Sequence, residues 1–187
     1  YFTVNEIFCF TRLGYENGVF APGLKLDRKT VAQTVHNGCL AHGYGVKALR
    51  ENVENANIGL AENMSPTVPV YPDAEHIAAA RTAFRHHSAD KLTVMMEGAY
   101  PDFWLESMGS DAPEFNDEEL SLIGQKLDFV GINIYAPAFV RADPGSKHGF
   151  ADVEFPESYP RMNMPWLRIC PDITYWTPRF LKELWNV

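Results

Sequence analysis

Apolar and polar positions along the chain fall into an order of strand, helix, strand, helix, strand, helix. Phe2 to Glu6 reads as a short β-strand running into an aromatic, Cys-containing loop. Val31, Val35, Cys39, His42, Val46, Leu49 and Val53 then recur at three- and four-residue spacing, which predicts a long amphipathic helix from about Asp27, its N-cap, to Val53. Asn57–Asn63 reads as a short buried strand, broken by Ser65-Pro66 and Pro69. A second helix follows Asp73, with Ile77, Ala80, Ala83 and Phe84 on one face. Leu92–Met96 is apolar and passes for a strand by pattern alone. Acids at Asp117, Glu118 and Glu119 suit the first turn of a short helix ending near Gly124, where the macrodipole favours negative charge. Leu127–Tyr135 is the clearest strand, residues 141–165 read as a long surface loop, and a final helix spans about Pro171 to Trp185 with Ile173, Trp176, Phe180, Leu181 and Leu184 inward.

Strands separated by helices imply parallel βαβ units with right-handed crossovers, an α/β class. No internal repeat or low-complexity segment interrupts them. The chain has 187 residues, against about 250 for a complete (β/α)₈ barrel. It opens inside a strand without Met and stops at the end of a helical pattern, so it reads as the middle of a longer protein. Neither a signal peptide nor a bilayer-length apolar run is present, which says little about secretion when the start is missing.

Composition is that of an ordinary enzyme, with 13% aromatic residues, a good supply for stacking on sugars. A formal charge of -8 argues against nucleic acid or an anionic membrane as partner. Cys9, Cys39 and Cys170 are widely spaced and form no CxxC, so they read as reduced thiols of a cytoplasmic protein. His86 and His87 are adjacent and cannot share a helix face, no acid or cysteine joins them at ligand spacing, and no metal site is expected. His42 reads as a packed core histidine.

Chemistry concentrates at Asn5-Glu6, an amide and a carboxylate at a strand's C-terminal end, where a (β/α)₈ enzyme keeps its reacting groups. Downstream stands Gly14-Tyr15-Glu16-Asn17-Gly18-Val19-Phe20-Ala21-Pro22-Gly23. Together these resemble the signature of the family 1 glycoside hydrolases, the β-glucosidases and their relatives: an Asn-Glu-Pro motif on strand four, then a Gly-Tyr…Gly…Ala-Pro-Gly loop. Ile7 replaces the usual Pro. The resemblance covers essentially the whole chain. It implies a (β/α)₈ TIM barrel of which residues 1–187 are a partial catalytic domain, supplying strands four to six and their helices. It also makes Leu92–Met96 an extended loop segment rather than a strand.

Glycoside hydrolysis uses two carboxyl groups flanking the anomeric carbon. By the resemblance Glu6 is the general acid/base, and Asn5 binds the sugar 2-hydroxyl. The family's nucleophile is the Glu of a Thr-Glu-Asn-Gly motif on strand seven, absent from these residues. Glu62 is no substitute, since its family counterpart is usually apolar; it reads as a solvated or ion-paired side chain. Asn63 matches an Asn lining the aglycone side. Gly131-Ile132-Asn133-Ile134-Tyr135 resembles the family's strand-six ending, which places Asn133 near the site and has Tyr135 donate to the nucleophile. Met164-Pro165-Trp166 resembles a Met-Gly-Trp stretch, which makes Trp166 the sugar platform. Phe8 either contacts the aglycone or packs.

The resemblance therefore implies a retaining β-glucosidase acting on terminal β-linked glucosides, galactosides or fucosides without a cofactor. Its partners would be a small β-glycoside and the rest of the same barrel, and the chain alone should be inactive. The alternatives are a 6-phospho-β-glycosidase and a non-catalytic sugar-binding pseudoenzyme of the same fold.

Overall fold

The computed structural model describes all of residues 1–187. The strands are β1 (Phe2–Asn5), β2 (Gly59–Asn63), β3 (Thr67–Pro69), β4 (Phe129–Asn133), β5 (Ala138–Ala142) and β6 (Phe150–Val153). The helices are α1 (Ile7–Thr11), α2 (Arg28–Asn52), α3 (Ala74–His87), α4 (Val94–Glu97), α5 (Asp102–Met108), α6 (Asp117–Ile123) and α7 (Ile173–Trp185). The chain divides into two compact units, Tyr1–Asn63 with Ala89–Asn133, and Met64–Ser88 with Ile134–Val187. No helix is long and apolar enough to cross a membrane.

The first unit is built on a parallel sheet of order β1-β2-β4, in which Gly59 to Asn63 pair residue for residue with Phe129 to Asn133. Helix α2 covers it. Asp27 caps α2 by accepting from the Thr30 N–H, and the apolar stripe read from the sequence is the buried one: Val31, Val35, Cys39, His42 and Val46. His42 is fully buried, with Nδ1 against Thr3 Oγ1, and that hydroxyl donates onward to the Gly59 carbonyl. The acids of α6 are reinforced by a capping box, in which Asn116 and Glu119 satisfy each other's backbone N–H groups.

Two stretches of this unit differ from expectation. The aromatic loop after Glu6 is α1, followed by a π-helical turn over Arg12–Glu16. Leu92–Met96 is neither strand nor extended loop: a π-helical turn, Ala89–Thr93, runs into α4 and ends on left-handed Gly98. Residues 89–95 are all buried, Asp90 and Lys91 included, so no wet face writes a periodicity that would separate helix from strand.

In the second unit β3 pairs parallel to β5, and β5 pairs antiparallel to β6. Strand β3 is not evident from the sequence, because Pro66 just before it and Pro69 at its end read as breakers. Residues 141–165 are likewise not all loop. Phe139 to Ala142 pair with Val153 to Phe150 across a turn in which the Asp143 N–H donates to the Gly149 carbonyl, and the single Ser146 hydroxyl hydrogen is within reach of the Phe150 carbonyl at 2.8 Å and the Asp143 carbonyl at 3.0 Å. The turn residues were visible; the short strand beyond them, with Asp152 in its middle, lacked an apolar signature. Helices α3 and α7 pack through Phe84, Phe180 and Trp185, with Phe84 6.2 Å from both other rings, and are clamped by the Arg81–Glu183 ion pair at 2.9 Å.

Candidate active site

Each strand of the first unit's parallel sheet ends on an asparagine: Asn5 on β1, Asn63 on β2 and Asn133 on β4. Asn63 lies in register with Asn133, and Asn5 with Ala61, so the three share one edge of the sheet. Glu6 follows Asn5 directly. Its N–H donates to the Ala61 carbonyl at 2.9 Å, which keeps it on the sheet, while φ 49° and ψ 68° turn the chain out into α1. A left-handed non-glycine residue costs about 1–3 kcal/mol and persists only where its surroundings hold it.

Asn133 Nδ2 donates to Glu6 Oε1 at 2.8 Å and to Asn5 Oδ1 at 3.2 Å, drawing the three side chains together. The other Glu6 oxygen accepts from the Cys9 thiol at 3.0 Å. Burial, then the hydrogen bond and charge of Glu6 and the charge of Glu62, push the Cys9 thiol up to about 12. It therefore stays protonated and remains a donor at neutral pH. A pocket of about 410 Å³ opens here, lined by Asn5, Glu6, Cys9, Phe10, Phe20 and Ala21. Its aromatic wall is wet, with Phe10 and Phe20 both exposed.

The glycine-rich loop delivers Phe20 and Ala21 to that pocket. The Leu24 N–H donates to the Gly14 carbonyl, closing the loop, and a Cβ on Gly14 would lie 2.7 Å from the Ala21 carbonyl oxygen. Only glycine allows that approach.

Behind α1 lies Glu62, and here the expectation of a solvated or ion-paired side chain fails. Glu62 is 1% exposed; its Oε2 accepts from the Ile7 N–H and its Oε1 from the Asn63 N–H, both at 3.0 Å. Burial pushes its carboxyl up, opposed by those amides, by the Phe8 amide and by the charge of Lys91. The pleat explains the miss: Glu62 points inward from β2, and α1 closes over it. Nearby, burial works against ionisation of Asp90, but the charges of Lys91 and Arg12, at 2.7 and 2.8 Å, prevail and hold its carboxyl well below the usual range.

The predicted residues thus sort plainly. Asn5, Glu6 and Asn133 are brought together. Asn63 is half-buried on the same sheet edge, and Phe8 is half-buried on α1, while Phe10 rather than Phe8 lines the pocket. Tyr135 and Trp166 belong to the second unit, where both are exposed and their rings meet edge to face at 5.9 Å. The sequence reading missed Cys9, Phe10 and Phe20. Had residues 7–11 been read as helical, Cys9 would have stood out three residues after Glu6, on its face.

The model of glycosyl hydrolase family 1 matches residues 1–185. Beta-glucosidase A of Acetivibrio thermocellus is 35% identical over 178 residues, 94% of this chain and 39% of that protein. A 1,4-beta-D-glucan glucohydrolase of Thermotoga neapolitana is 35% identical over 98% of this chain and 43% of its own length. Among solved structures, the family 1 β-glucosidase of Thermotoga maritima superposes with a TM-score of 0.74 at 32% identity, over 99% of this chain and 40% of that one. The same enzyme in complex with deoxynojirimycin gives 0.75. The chain spans about two fifths of the length of the relatives it matches. Those neighbours are (β/α)₈ barrels, so β1, β2 and β4 are three of a barrel's strands. The carboxylate at the sheet edge, the loop that walls its pocket and these matches lead to one conclusion: the chain belongs to glycosyl hydrolase family 1.

Proposed function

We propose that this chain carries the acid/base half of a retaining β-glucosidase site, and that it works in a completed barrel, meaning this chain together with the segments that supply the remaining strands. The single observation behind the reading is Glu6, placed at the sheet edge with Asn133 on one oxygen, Cys9 on the other and the pocket beside it.

In a retaining mechanism one carboxyl protonates the departing glycosidic oxygen while a second attacks the anomeric carbon, the two standing about 5–5.5 Å apart. Glu6 takes the first role and then removes a proton from the water that releases the sugar. The nucleophile comes from the rest of the barrel. Asn5 and Asn133 contact the glycone, Asn5 through the 2-hydroxyl. Trp166 offers its face to the sugar ring, Tyr135 orients the nucleophile, and Asn63 and Phe8 lie toward the aglycone. The relatives named as β-glucosidases, and the one solved with deoxynojirimycin, a sugar-like inhibitor, support a β-glucoside as substrate. No cofactor takes part in these steps.

The test compares the purified chain with the completed barrel on an aryl β-glucoside. The completed barrel is expected to turn over and the chain alone to be inactive. Turnover by residues 1–187 alone would refute a nucleophile supplied from outside.

A further inference from the structure

Ile7 is the first residue of α1, and its side chain is fully buried. The N–H groups of a helix's first turn have no partner within the helix. The preceding Glu6 is in the usual capping position, yet its side chain makes no capping bond. The Glu6 carboxylate instead accepts from Asn133 and Cys9. The cap comes from elsewhere: Glu62, reached across 55 residues, accepts the Ile7 N–H on Oε2, while its Oε1 holds the Asn63 N–H. A buried carboxylate on a helix N-terminus also meets the positive end of the backbone dipoles.

We propose that Glu62 is a positioning residue for Glu6, forming with Ile7 a matched pair in which the buried carboxylate caps α1 in place of Glu6 and so holds the left-handed turn that aims the Glu6 side chain into the pocket. The pair consists of a donor and an acceptor that need each other. Proline at a helix's first position has no N–H to satisfy and a φ suited to the helix, so an Ile7→Pro chain has less use for the Glu62 acceptor. The inference rests on the reading of Glu6 as acid/base, and its test separates the two.

The experiment is a double-substitution cycle in the completed barrel with Ile7→Pro, Glu62→Gln and both together. Glutamine keeps the shape but offers one acceptor and one donor. Its donor conflicts with the N–H groups that the carboxylate accepts, those of Ile7, Asn63 and Phe8, and the part of that conflict at Ile7 vanishes once position 7 is proline. Glu62→Gln alone should lower the melting temperature by several degrees, Ile7→Pro should cost some stability through its lost buried side chain, and the double substitution should lose less than the two single losses added together. In kinetics, Glu62→Gln should lower kcat/KM about 10- to 100-fold for an alkyl β-glucoside, whose leaving oxygen needs a well-aimed acid. Release of dinitrophenolate from the corresponding aryl glucoside should be nearly spared, and Ile7→Pro should bring the alkyl activity part of the way back.

Additive melting shifts would overturn the pairing, whatever Glu6 does. Thermal coupling without leaving-group dependence in Glu62→Gln, while Glu6→Ala retains that dependence, would overturn the positioning role. If Glu6→Ala itself shows no leaving-group dependence, the acid/base reading has failed and the positioning role falls with it, leaving only the thermal coupling between Ile7 and Glu62.

Discussion

His42 makes stability depend on pH in a way that can be worked out from its surroundings. It lies fully buried on α2, and burial lowers its pKa from 6.5 to about 4. The Thr3 hydroxyl donates to the Gly59 carbonyl, so it accepts from Nδ1–H, while Nε2 has no hydrogen-bond partner. A second proton on this ring would therefore be buried and unpaired. As pH falls below 6.5 the unfolded chain takes up that proton and the folded one does not, so stability is lost from about pH 6.5 down to about pH 4 and levels off below. At 1.36 kcal/mol per pH unit that gap corresponds to ~3 kcal/mol. The perturbation is His42→Asn, which keeps an amide N–H for Thr3 and cannot titrate. The assay is urea denaturation of the completed barrel at intervals from pH 7.5 to 4. The variant should be less stable at pH 7.5, having lost ring packing, but should fall less steeply, so that the two curves close by ~3 kcal/mol toward pH 4. Burial also lowers His36 and His86. They contribute equally to both proteins and drop out of the difference. Parallel curves would refute a neutral, buried His42.

Asp90→Ala should cost about 3–5 kcal/mol by denaturation, because it leaves Lys91, and Arg12 beside it, without their buried counter-charge. Replacing Lys91 as well should recover part of the loss. Tyr135→Phe should lower kcat about 10- to 100-fold, the worth of a hydrogen bond to a charged group, and move the acidic limb of the pH profile upward as the nucleophile loses a donor. Trp166→Ala should lower kcat/KM about 10-fold through weaker glycone binding, with little change in melting temperature, since the ring is exposed. Unchanged constants for every glucoside would remove Trp166 as the platform.

What was legible in the sequence follows from where each segment lies. Helix α2 could be read because one face is buried and the other wet, which writes a period into Val31, Val35, Cys39, His42 and Val46. Strand β4 could be read because its apolar run is flanked by Leu127 and a glycine-containing ending. Segments buried all round carry no such period, so Leu92–Met96 passes for a strand by pattern, and the resemblance, which makes it an extended loop, does not supply the helical turns found there. Strand β6, exposed in part and carrying Asp152, lacked the opposite signal. At the site, Asn5, Glu6 and Asn133 were found through their motifs. Glu62 was misjudged because only its contact with α1, 55 residues back in the chain, explains a buried carboxylate. No local pattern encodes that contact.

The most direct test of the account is Glu6→Ala in the completed barrel. Removing a general acid costs about 10²- to 10⁴-fold where the leaving oxygen needs its proton. A dinitrophenolate leaves without that help, so the enzyme should still become glycosylated by such a substrate at nearly the parent rate. Release of the sugar would then be slow, because no base remains to activate water, and the glycosyl-enzyme should accumulate. Azide needs no deprotonation and should restore turnover, giving a β-glycosyl azide of retained configuration. An α-azide would make Glu6 the nucleophile. Equal loss on activated and unactivated substrates, with no rescue, would make it a structural residue and contradict the account.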